Sequence, residues 1–131
     1  MITKTVKTYW VKIYVSGPIE VVKQACRQEC LERGLCVTVE PTTFIYTGGE
    51  EQGAVIGLVN YPRFPTSAGS IRARAQRLAL AVLETTCQHS VMVMTPEDTT
   101  WFSKREEETC QVRFVDAGKD RPRENLDEDV K

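Results

Sequence analysis

Three observations predict an α+β fold for this chain. Two stretches carry apolar residues three to four positions apart, each opened by a residue suited to starting a helix. Four further stretches are rich in β-branched and aromatic residues, and a glycine pair joins the middle two. The resulting order, β-α-β-β-α-β with one more short strand after it, suits an antiparallel sheet with two helices packed on one face, as in ferredoxin-like folds.

Each element has its own signals. Val6 to Val15 reads as a strand, with Val11, Ile13 and Val15 on one face and Trp10, Lys12 and Tyr14 on the other. Pro18 suits the first position of a helix whose buried stripe is Ile19, Val22, Cys26 and Cys30, and Gly34 is placed to end it in a left-handed cap. Leu35 to Tyr46 is a second strand, which Pro41 assigns to an edge or a bulge. Gly48 and Gly49 turn the chain, and Gly53 to Tyr61 runs back as the hairpin partner. Thr66 or Ser67 caps a second helix reaching about Cys87, with Ile71, Ala75, Leu78 and Val82 facing in and Arg72, Arg74 and Arg77 facing out. Ser90 to Met94 is a buried strand, and Thr99 to Phe102 returns beside it after a turn at Pro96. Val112 to Val115 offers one more edge strand.

A single domain is expected over residues 1–115, followed by an acidic tail at 116–131. The tail holds six acids against four bases, with Leu126 and Val130 as its large apolar residues, a composition expected to stay disordered. The net charge of −1 argues against strong binding to duplex nucleic acid or to membranes, and no apolar run is long enough to span a bilayer. The first ten residues lack an apolar signal core, so residence in the cytoplasm is expected. Five cysteines make an odd count, which favours reduced thiols packed as small hydrophobes. With His89 the sole histidine, no metal site and no cofactor are expected.

The segment Asn60-Tyr61-Pro62-Arg63-Phe64-Pro65 draws most attention. The prolines fix φ and bias Tyr61 and Phe64 toward extended backbone, so the intervening side chains stand on a stiff ledge. Two readings stay open. The segment is a rigid loop whose aromatics pack inward, or it is a grip in which Arg63 meets a phosphate and an aromatic stacks on a base. Arg72 and Arg74, early in the following helix, extend the second reading toward a pyrophosphate. Gly48, Gly49, Glu50 and Glu51 read as a hairpin turn with solvated acids, or as a close backbone approach whose carboxylate accepts from ribose hydroxyls. Trp101 and Phe102 are packing residues or part of a self-association patch. His89 has no serine or cysteine marked as its partner, and no acid pair stands beside a histidine or metal-ligand set. The chain is therefore expected to bind without turnover, not to be an enzyme.

The combination YTGGEEQG followed by GLVNYPRFP, between a helix bearing Cys26 and Cys30 and one bearing arginines, resembles the phage anti-defence proteins that counter Thoeris immunity. These are the sponges that trap the glycocyclic ADP-ribose signal made by bacterial TIR proteins. The resemblance covers about Tyr9 to Lys104. It implies a non-enzymatic protein of the infected host cell's cytoplasm that holds cyclic ADP-ribose isomers intact. It further implies assembly from dimers into hexamers with pockets between subunits, and separate sites for cyclic oligonucleotides. The residues it carries over are Tyr46, Gly48, Gly49, Asn60, Tyr61, Arg63 and Phe64. A single-stranded RNA-binding module and a signal-degrading enzyme are the alternatives.

Overall fold

A computed structural model describes residues 1–105. Five strands, β1 (Trp10–Ser16), β2 (Thr38–Tyr46), β3 (Gly49–Val59), β4 (Ser90–Met94) and β5 (Thr99–Ser103), form one sheet in the order β2-β3-β1-β4-β5, every pair antiparallel. Two helices, α1 (Ile19–Arg33) and α2 (Ala68–Thr85), connect β1 to β2 and β3 to β4. This is the α+β, ferredoxin-like arrangement expected from the sequence, with β5 as the extra strand. Val112–Val115 and the acidic tail lie outside the described residues.

Alternation along the strands builds one core. Val11, Ile13 and Val15 of β1, Ala54, Ile56 and Leu58 of β3, and Val91 and Val93 of β4 are buried on one face. They meet Val22, Ala25 and Cys26 of α1 and Ile71, Ala75, Leu78, Ala79, Val82 and Leu83 of α2. The helix stripes set the period, and the sheet supplies the flat surface they need. Among the described residues no helix lies over the opposite face. Trp10, Lys12, Tyr14 and Ser16 of β1, Met92 and Met94 of β4, and Trp101 of β5 alternate onto it.

Helix ends fall where local chemistry puts them. Pro18 precedes α1 with extended backbone, and Gly34 closes it at φ 73°, its N–H donating to the Cys30 carbonyl. Ser67 caps α2, its hydroxyl accepting from the Ser70 N–H at 3.1 Å. Two differences stand out. The strand expected from Val6 begins only at Trp10, because its partner β3 ends at Val59, opposite Trp10. The hairpin turn is Thr47-Gly48, one residue earlier than the glycine pair suggests: Tyr46 pairs with Gly49, and Gly48 takes the positive φ of 92°.

Candidate functional site

Strand β3 runs eleven residues, about 36 Å at 3.3 Å per residue, and the expected site residues divide between its two ends. Tyr46, Gly48 and Gly49 sit at the hairpin tip, whereas Asn60, Tyr61, Arg63, Phe64 and Arg74 gather at the other end. The structure does not bring the two groups together.

At the far end the ledge is a tight turn. The Phe64 N–H donates to the Tyr61 carbonyl at 2.9 Å, and the two rings stand 6.0 Å apart at 52°. Tyr61 and Phe64 remain 42% and 65% exposed, and the Arg63 guanidinium lies 5.3 Å from the Phe64 ring centre. The aromatics therefore do not pack inward. Asn60 is 5% exposed and plays a different part. Its N–H donates to the Tyr9 carbonyl at 2.8 Å, its side-chain amide donates to the Lys7 carbonyl at 2.8 Å, and its Oδ1 accepts from the Thr66 N–H at 2.9 Å. It ties the N-terminal segment, the end of β3 and the entry to α2 together, and every polar atom of its amide that these bonds use is turned into the protein. Arg72 is engaged as well, within 3.3–3.4 Å of Glu97 and Asp98. Arg74 instead lines a hollow of about 190 Å³ with Tyr61, Phe64 and Cys36.

At the hairpin end, residues 49–52 of β3 run past the end of β1 and pair with β2, with one further bond from the Gly17 N–H to the Gln52 carbonyl at 3.0 Å. Alternation puts Tyr46, Phe44, Glu51 and Ser16 on the helix-free face. Phe44 is the direct partner of Glu51, and Ser16 is the partner of Gly53. The Ser16 hydroxyl donates to Glu51 Oε1 at 2.6 Å, a short, charge-assisted bond that fixes the carboxylate. Gly53 is buried where a Cβ would meet the Val15 carbonyl and stand 2.5 Å from the Phe44 ring, so only glycine lets that ring lie flat over the strand. Tyr46, 54% exposed, covers Gly49 in the same way, its ring 3.1 Å from where a Cβ would be. The result is an anchored carboxylate beside two aromatic rings on an open surface. Ser16 was not singled out from the sequence, because its bond to Glu51 spans thirty-five residues. A serine ending a strand opposite a hairpin acid was the available signal.

Two of the thiols, Cys26 and Cys30, are poor nucleophiles. Burial, with smaller contributions from Cys30 and Glu29, pushes Cys26 up to about 11, and burial first, then Cys36 and Glu29, raises Cys30. Both are therefore protonated at neutral pH. His89 is exposed, and its backbone carbonyl accepts from the Lys104 N–H at 2.8 Å.

The molecule is thus an α+β protein with an open sheet face and a carboxylate-aromatic cluster at one end of it. Two solved structures share this fold. A phage SAM lyase in complex with S-methyl-5'-thioadenosine superposes with a TM-score of 0.64 at 16% identity, covering 82% of this chain and 97% of the lyase. A phage SAM lyase in the apo state gives 0.60 at 15% identity, covering 79% and 96%. No protein-family model matches the sequence, and no curated protein matches it.

These neighbours correct one expectation and sharpen another. The expectation that the chain is not an enzyme does not stand, because both of these solved structures with its fold are of a lyase. The lack of a partnered histidine or a metal-ligand set does not by itself exclude a lyase. SAM carries a sulfonium, whose departure as a neutral thioether needs neither a general acid nor a metal. The neighbours are phage proteins, and one of them holds S-methyl-5'-thioadenosine. Neither is a Thoeris sponge.

Proposed function

We propose that this chain is a phage anti-defence protein that takes an adenosine-containing small molecule at the hairpin end of its open sheet face and breaks it there. S-adenosylmethionine is the foremost candidate. The observation that carries the reading is the Glu51 carboxylate, fixed by Ser16 at 2.6 Å beside Phe44 and near Tyr46. The fold shared with SAM lyases supports it. In this reading Glu51 pairs with the substrate's ammonium group, and the rings of Phe44 and Tyr46 receive the sulfonium and the adenine.

The step needs no co-reactant. The bond between sulfur and the γ-carbon of the methionine portion breaks, its electron pair goes to sulfur, and neutral S-methyl-5'-thioadenosine departs. The vacated carbon bonds to an oxygen of the substrate's own carboxylate, closing a lactone, so no proton, water or oxidant is consumed. A cation and an anion neutralise each other in that step, a loss of charge that less aqueous surroundings favour.

A cyclic ADP-ribose signal shares the adenosine portion but carries a negative pyrophosphate. The hairpin end offers it the Glu51 carboxylate where an arginine would be wanted, so the sulfonium substrate fits better there. The test is chromatography of S-adenosylmethionine and of cyclic ADP-ribose isomers after incubation with the protein. S-methyl-5'-thioadenosine should accumulate. Glu51→Gln should slow its appearance by about a hundredfold or more, as loss of one positioned charged group in a reaction site does, with an unchanged circular dichroism spectrum. Untouched S-adenosylmethionine with the wild-type chain would overturn the reading.

A further inference from the structure

We propose that the ledge is a second, separate ligand site, taking a flat aromatic ring that bears a phosphate, of the nucleoside monophosphate class. Three observations carry it. First, the aromatic ledge is rigid and outward-facing. Asn60 anchors it through three hydrogen bonds, the Tyr61–Phe64 turn is closed, and yet both rings keep much of their surface in water. Rings preorganised in this way lose little entropy on stacking against a ligand.

Second, the rings border a concavity. Its floor is Leu58 and Ile71, both buried in the core, and its far wall is the chain after the left-handed Gly34, where Cys36 is exposed. At about 190 Å³ the hollow suits one ring system, smaller than the roughly 300 Å³ at which pockets for whole drug-sized ligands begin. Third, the charge is of one sign. Arg74 lines the hollow and Arg63 stands over Phe64, and neither has an ion pair among the described residues. Arg72, two residues from Arg74, has both of its acidic partners in place. A planar guanidinium without an acid, at the rim of an aromatic hollow, matches a phosphate attached to a stacked ring. The site lies at the opposite end of β3 from Glu51 and does not depend on the lyase reading.

Cys36 supplies the readout. The full-length chain is alkylated with iodoacetamide in the presence of adenosine 5'-monophosphate, and labelling at Cys36 and Cys87 is followed peptide by peptide. Both thiols are exposed, but Cys87 follows α2 at the other end of the molecule and serves as the internal control. With the nucleotide at roughly ten times its Kd, labelling of Cys36 should slow about tenfold, with Cys87 unchanged. Adenosine and inorganic phosphate should each protect far less. Arg74→Ala should abolish the protection, Phe64→Ala should weaken it, and Glu51→Gln should leave it intact. Unprotected Cys36 in the wild type, equal slowing at Cys87, or protection that survives Arg74→Ala would overturn the proposal. The comparison of nucleotide with nucleoside in the wild type keeps the test decisive even if a variant fails to fold.

Discussion

Asn60 and Phe64 lie four positions apart in one hexapeptide and do opposite things. Asn60 uses one backbone and two side-chain hydrogen bonds to join three segments, whereas Phe64 holds its ring out in solvent. Truncating Asn60 leaves the Lys7 carbonyl and the Thr66 N–H without that partner in a part-buried setting. Asn60→Ala should therefore cost about 2 kcal/mol or more, since each of the two orphaned groups costs at least about 1 kcal/mol. Phe64→Ala should change urea stability by less than about 0.5 kcal/mol. Equal losses in the two variants would show that the ledge ring is structural after all. The composition of the hexapeptide marked it as special, and Pro62 and Pro65 correctly implied stiffness. Which of its side chains face inward was not legible, because the partners of Asn60 come from residues brought near only by the sheet.

Among the elements, the β2–β3 hairpin deserves comparison with the helices. The helix ends read from local chemistry, Gly34 for α1 and Ser67 for α2, survive in the structure because capping is decided within a few residues, whereas Pro18 falls one position outside α1 as its extended N-cap. Strand limits are set by partners, so β1 starts four residues later than its apolar pattern begins. The hairpin also hides its main requirement from a reading of sequence pattern. Gly53 breaks no alternation and makes no turn, yet the Phe44 ring and the Val15 carbonyl occupy the space a side chain would need. Gly53→Ala should destabilise the chain by about 2 kcal/mol through overpacking, with the Phe44 ring displaced from beside Glu51. Gly34→Ala, with nothing within 4 Å and only its φ of 73° to strain, should cost about 1 kcal/mol. Denaturant titration of the two variants checks the order, and a Gly53→Ala variant as stable as the wild type would refute it.

At the scale of the whole molecule, the two helices lie on one side of the sheet, and among the described residues the other side is uncovered. Trp10, Met92 and Trp101 lie on that side, and the Glu51 cluster is at its margin. The resemblance to the sponge family led us to expect self-association, and this face is where we propose it occurs, since aromatic and methionine side chains are enriched in such contacts. Sedimentation should find the wild type as an oligomer and Trp101→Glu shifted toward the monomer. A monomeric wild type would remove the idea. The ferredoxin-like order was legible from the sequence, but the uncovered face was not, because the same alternation describes a strand with either one or two partners above it.

The sheet's outer boundary carries a last consequence. β2 is an edge strand nine residues long, the kind of border on which another chain can add a strand. Pro41 sits near its middle and has no N–H to offer. That gap is tolerated because among the described residues no strand lies beyond β2, and a proline leaves one donor fewer for an incoming strand. A single proline thus guards the longest open border of the sheet against aggregation.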